Sequence, residues 1–244
     1  MRRRWLLIAL AVVALAAGAG CLGSGTVSDQ QLAQNATYDW NATEEANASV
    51  VVNATGGSYQ AVLNVTGSNE TELRFSQSST FTGDQPVPIA AVQFRHPNGT
   101  VVNASAIDVS EGRDAVTVTL PGENGTFAYT APMGSRSLGV PVVLSGASHE
   151  VVLPEGMRAN LPVFGQVSPS GYERTVVDDR THLHWSSVEA NQLSVRYYLE
   201  RDVYLFAGLV ALAALVAVGG VVYFRLQIRR LEREREESGL DVNE

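Results

Sequence analysis

The sequence predicts a mostly β fold, one or two β-sandwich (Ig-like) units, followed by a single C-terminal transmembrane helix. Three observations carry this. Apolar and polar residues alternate with period two from about residue 48 to 200, Gly- and Pro-rich turns break that stretch into short runs, and Val203–Phe224 holds no charged residue.

The order of the chain begins with a segment built like a secretory signal. Arg2, Arg3 and Arg4 precede an apolar run from Leu6 to Ala17, and Gly18-Ala19-Gly20-Cys21 closes it. The run is shorter than the roughly 20 residues a spanning helix needs, which favours a processed signal over 1–21; an uncleaved anchor is the other reading. The three arginines before Trp5-Leu6-Leu7 also resemble a twin-arginine export signal. Cys21 is the sole cysteine, so no intramolecular disulfide exists. Its position after three small residues resembles a lipobox, in which the cysteine carries the lipid; Gly18 departs from that motif. Cleavage after a small-x-small site without lipidation is the alternative.

Residues 22–46 lack a periodic apolar face and read as a disordered, glycosylated stalk. Asn-x-Ser/Thr triplets begin at Asn35, Asn41, Asn47, Asn53, Asn64, Asn69, Asn98, Asn103 and Asn124, so nine of the 12 asparagines head an acceptor. A first β domain is expected over 47–131. Val50 and Val52 against Val51 and Asn53, then Tyr59, Ala61, Leu63 and Val65 against Gln60, Val62 and Asn64, read as a hairpin turning at 55–58. Further strands are expected at 70–76, 89–96, 100–104, 114–120 and 126–130. A split near 131–137 opens a second, membrane-proximal β domain at 132–200, with strands at 139–144, 148–153, 172–177, 181–186 and 192–200. The apolar, Pro/Gly-rich stretch 151–167 reads as a structured crossing loop, or as a lip for a partner.

The helix at 203–224 covers roughly 33 Å, enough for a hydrocarbon layer of roughly 30 Å. Arg225, Arg229, Arg230, Arg233 and Arg235 follow it, whereas Arg201 alone precedes it closely, beside Glu200 and Asp202. Basic residues stay on the cytoplasmic side, so the tail 225–244 is expected inside and residues 22–202 outside, where all nine acceptors lie. Residues 22–200 carry 18 acidic side chains and 8 arginines, and the chain holds no lysine. An acidic surface excludes phosphate-backbone binding, so no nucleic-acid partner is expected. Membrane lipid and an envelope or membrane-protein partner are.

Chemistry is sparse. His182 and His184 fall two apart in a strand and share a face; with Asp178 or Asp179 they are weak metal-ligand candidates, the other reading being an outer face of Arg180, His182 and His184. His96 and His149 read as surface residues. Phosphate-loop, nucleophile-elbow and zinc-helix motifs are missing, so neither a catalytic residue nor a cofactor is expected. The expected function is a non-enzymatic surface module that binds or scaffolds envelope partners. An accessory or sensing subunit of a membrane complex is the second reading, and an envelope hydrolase the third.

Three segments together, Ala19-Gly20-Cys21-Leu22-Gly23, the hairpin from Val92 to Ser105, and Val195–Phe206 with Arg225–Leu231, resemble an uncharacterised family of haloarchaeal membrane proteins. The resemblance spans nearly all of the chain after the stalk. It implies a membrane-anchored surface location and carries over no functional residue.

Overall fold

The computed structural model describes residues 27–68, 70–79 and 83–237. Two short helices, α1 (Asp29–Leu32) and α2 (Ala42–Glu45), precede the strands. The strands are β1 (Val50–Ala54), β2 (Ser58–Asn64), β3 (Glu72–Ser79), β4 (Gly83–Pro86), β5 (Ala90–Arg95), β6 (Val101–Asn103), β7 (Asp108–Glu111), β8 (Val116–Thr119) and β9 (Thr126–Pro132). There follow β10 (Ser137–Pro141), β11 (His149–Val152), β12 (Met157–Arg158), β13 (Gln166–Ser168), β14 (Glu173–Val177), β15 (Arg180–Trp185), β16 (Gln192–Arg196) and β17 (Tyr198–Leu199). A long helix, α3 (Glu200–Glu237), closes the chain. The β unit ends at Tyr197, and α3 belongs to a second unit.

The strands form an eight-stranded sheet in the order β14-β15-β11-β1-β2-β9-β5-β6, a four-stranded sheet β4-β3-β8-β7 and a three-stranded sheet β10-β16-β13. Their inner faces share one core, a sandwich-like arrangement. Val50, Val52, Tyr59, Ala61 and Leu63 of the expected first hairpin point into it, as their alternation demands. Phe75 from the four-stranded sheet meets Tyr129 of the large sheet edge-on, with ring centroids 4.9 Å apart. Leu193 and Val195 of β16 and Leu183 and Trp185 of β15 join the same cluster.

Two expectations need correction. The boundary near 131–137 does not divide the β unit: β1 pairs in parallel with β11, Val50 opposite His149, so strands from both expected domains lie side by side in one sheet. Local alternation reveals strands and hairpins; it cannot reveal a partner about a hundred residues away, and parallel neighbours need such long crossovers.

The expected stalk is also ordered from Val27 to Ala46 and packs on the sandwich. Leu32 enters the main core. Tyr38 is buried in a second small cluster with Val62, Ala91 and Ala128 on the outer face of the large sheet. Its hydroxyl donates to the Ala91 carbonyl at 2.7 Å and meets Thr130 Oγ1 at 2.9 Å. Gln93 donates to the Ala36 carbonyl, and the Arg95 guanidinium lies 5.6 Å from the Trp40 ring centroid. Val62, Ala91 and Ala128 would be a wet apolar patch without this strap, so their burial is what holds it. Ala91 takes φ 52°, a left-handed conformation rare for alanine, at the point where the β5–β9 register shifts.

Strands β4, β7, β12 and β13 arise where no strand is expected. Each is short and mostly exposed or half-buried, so little apolar alternation marks it.

Candidate functional site

The outer face of the large sheet gathers the chain's polar side chains where β1, β11 and β15 run together. In β15 the alternation buries Thr181, Leu183 and Trp185 and leaves Arg180, His182 and His184 half-exposed on the outer side. The neighbouring strand β11 sets Glu150 directly opposite His184. Glu150 is 9% exposed, and its two carboxylate oxygens face both histidines: Oε1 lies 2.7 Å from His182 Nδ1, and Oε2 lies 3.6 Å from His184 Nδ1. On the flanking side Arg180 donates to the Leu153 carbonyl at 3.0 Å, and also to Asn53 Oδ1 and the Ala54 carbonyl. These groups and α2 line a cavity of about 420 Å³ that includes Asp39, Glu45, Asn53, Glu150, Arg180 and His182. The hydrogen bond between Glu150 and His182 ties β11 to β15 and orients that ring, while His184 lies alongside, beyond hydrogen-bond reach.

The carboxylates expected to join the histidines go elsewhere. Asp178 and Asp179 form the two-residue β14–β15 turn, with φ 49° and 60°, and Asp179 pairs with Arg158. Among the described residues no group of three or more His, Cys, Asp or Glu side chains is placed to hold a metal ion. Sequence reading missed Glu150, the residue that the histidines do meet. The signal was a carboxylate at an outward position inside an apolar strand, and its partners depend on a strand pairing that local patterns do not encode.

His149 corrects a second expectation. It is fully buried rather than a surface residue, with Nδ1 3.0 Å from the Ala147 carbonyl and Nε2 without a partner. Burial pushes its pKa below the usual value, because a charged ring there would lose its hydration; the Ala147 carbonyl opposes this in part. The Tyr59 hydroxyl is likewise buried without a partner in the core. His96 is half-exposed, edge-on to Phe94 with centroids 5.0 Å apart.

The acceptor asparagines sort by exposure. Asn35, Asn41, Asn47, Asn64, Asn98, Asn103 and Asn124 are exposed, and Asn53 is half-buried against Arg180. In Asn64, Asn98 and Asn103 the side-chain oxygen accepts from the backbone N–H two residues on. Asn69 and Cys21 lie outside the described residues, as does the signal-like segment.

In α3, the stretch Glu200–Glu234 contains a long apolar segment that nothing among the described residues buries, so by length and composition it could cross a membrane. It continues helical past Phe224 to Glu237.

A family model described as "Family of unknown function (DUF5803)" matches residues 44–243. No curated protein and no solved structure matches the chain.

Proposed function

We propose that this chain, which belongs to the DUF5803 family, is a non-enzymatic cell-surface module that binds or scaffolds envelope partners. Its β unit stands outside the cell, α3 crosses the membrane with the arginine-rich tail inside, and lipid at Cys21 adds a second tether. The glycosylated, acidic and lysine-free exterior fits a salt-rich, haloarchaeal setting.

The observation that carries this reading is the pairing of an unburied apolar helix with charge on one flank and acceptors on the other. Five arginines follow Phe224, and the seven exposed acceptors all precede the helix. Apolar side chains left bare along that length need a lipid environment.

Protease added to intact cells tests it. The expected result is digestion before residue 200 and protection of Arg225–Arg235; cleavage within the tail, with the β unit shielded, overturns the reading. Glycopeptide mapping should find sugar on exposed acceptors and leave Asn53 bare. Intact mass of the mature N-terminus decides on the lipid, since an unmodified thiol on Cys21 rejects it.

The continuation of α3 to Glu237 favours a second reading, an accessory subunit whose helical tail docks a cytoplasmic partner. Removing residues 226–244 separates the two: lost phenotype at normal surface abundance points to the accessory role.

A further inference from the structure

The loop between β12 and β13 presents a bare apolar tip. Leu161-Pro162-Val163-Phe164 folds into a tight turn in which the Phe164 and Gly165 N–H groups donate to the Leu161 carbonyl. Val163 at its apex is 85% exposed, and Leu161 36%. The neck is closed by Gly165, where a Cβ would lie 2.8 Å from the Ala159 backbone; only glycine permits that approach. An apolar side chain held out by a closed, hydrogen-bonded neck is a fixed feature of the surface rather than a stray residue.

The register of the three-stranded sheet places this tip. Gln166, the first residue of β13, is opposite Arg196, the last of β16, and Ser137 at the start of β10 is opposite Arg196 as well. The tip therefore sits at the end of the sandwich from which the chain leaves. Between Tyr197, where the β unit ends, and Val203, where the uncharged stretch starts, lie five residues, so the chain reaches at most roughly 20 Å. At that end residues 131–137 and 159–166 carry one charged side chain, Arg136, which like Arg196 is exposed, and Glu200 and Asp202 follow the exit.

We infer that Leu161–Phe164 is a lipid-contacting tip, inserted into the interface of the bilayer that holds α3, with Arg136 and Arg196 at the headgroups. This rests on the membrane-anchored reading above. Apolar groups at an interface sink about 5–10 Å, with cationic side chains reaching back to the phosphates. A tether this short bounds how far the exit end of the sandwich can lie from the bilayer, so the tip's association needs no separate anchor.

Nitroxide labels on the full-length chain test it, in vesicles of mixed neutral and anionic phospholipid and in a Cys21→Ser background. The label replaces Val163→Cys, Leu215→Cys in the apolar helix, or Arg113→Cys in the exposed β7–β8 turn. The expected result at Val163 is loss of nickel accessibility and gain of oxygen accessibility against Arg113, approaching Leu215. A Val163 label as wet as Arg113, with Leu215 in lipid, overturns the tip and leaves the anchor standing. A Leu215 label in water overturns both. A Val163 label shielded from both reagents means that a second protein copy covers the tip, and overturns lipid as its occupant.

Discussion

The two faces of the eight-stranded sheet are built by different physics. The inner face is dry and continuous, with Tyr59, Phe94, Phe127, Tyr129, Leu183 and Trp185 almost wholly buried in one cluster. The outer face is patched: a strap from residues 27–46 covers Val62, Ala91 and Ala128, and a polar group centred on Glu150 ties the adjoining strands. The inner face gains from burying area, without regard to direction; the outer face depends on a few directed contacts. The first should tolerate exchange among apolar residues of like volume, and the second should respond to loss of single polar groups.

Unfolding in denaturant can break that contrast. Phe75→Ala should cost most, about 3–5 kcal/mol, because it empties a site packed against Phe127 and Tyr129. A loss no larger than that of an outer-face variant would erase the distinction. Glu150→Gln should cost about 1–3 kcal/mol, since the nearly buried carboxylate that His182 meets at 2.7 Å is replaced by an amide with half its acceptors. His149 sharpens the comparison from the inside. Its folded pKa lies below the ordinary 6.5, so the unfolded chain binds the proton more readily. The stability it contributes is present above about pH 6.5 and is lost as pH falls below it, by up to about 1.4 kcal/mol per pH unit. Stability measured from pH 7 to 5 should fall less steeply in His149→Leu than in the parent; equal slopes would refute the buried neutral ring. Tyr38→Phe should cost least, about 1 kcal/mol, by removing the hydroxyl that meets Ala91 and Thr130. Limited proteolysis should then cut within 33–46 sooner than in the parent; unchanged cleavage would show that ring burial alone holds the strap.

The inner face could be read from the chain before any coordinates. Val50, Val52, Tyr59, Ala61 and Leu63 alternate because a pleated strand puts every second side chain on one side, and the structure places all five in the core. The Asp178-Asp179 turn and the apolar length of Val203–Phe224 were equally plain, being local. The outer face was not legible. Val51 and Val62 interrupt its polar pattern and could have signalled a cover, yet nothing in Ala36, Tyr38 and Trp40 announces itself as that cover. Of the site, His182 and His184 were visible as a pair on one face. Glu150 was not, because its role comes from β11 lying next to β15, a neighbour relation set by topology rather than by spacing.

The parallel seam of β1 against β11 has a consequence for how the polypeptide is assembled. The strand at the middle of the large sheet waits for a neighbour 99 positions downstream, so hairpins formed early leave its flank raw. A shortened product that stops before His149 would expose that flank and clump instead of yielding a half-sized module. Synthesis past residue 152 is therefore required before β1 can be paired on both of its sides.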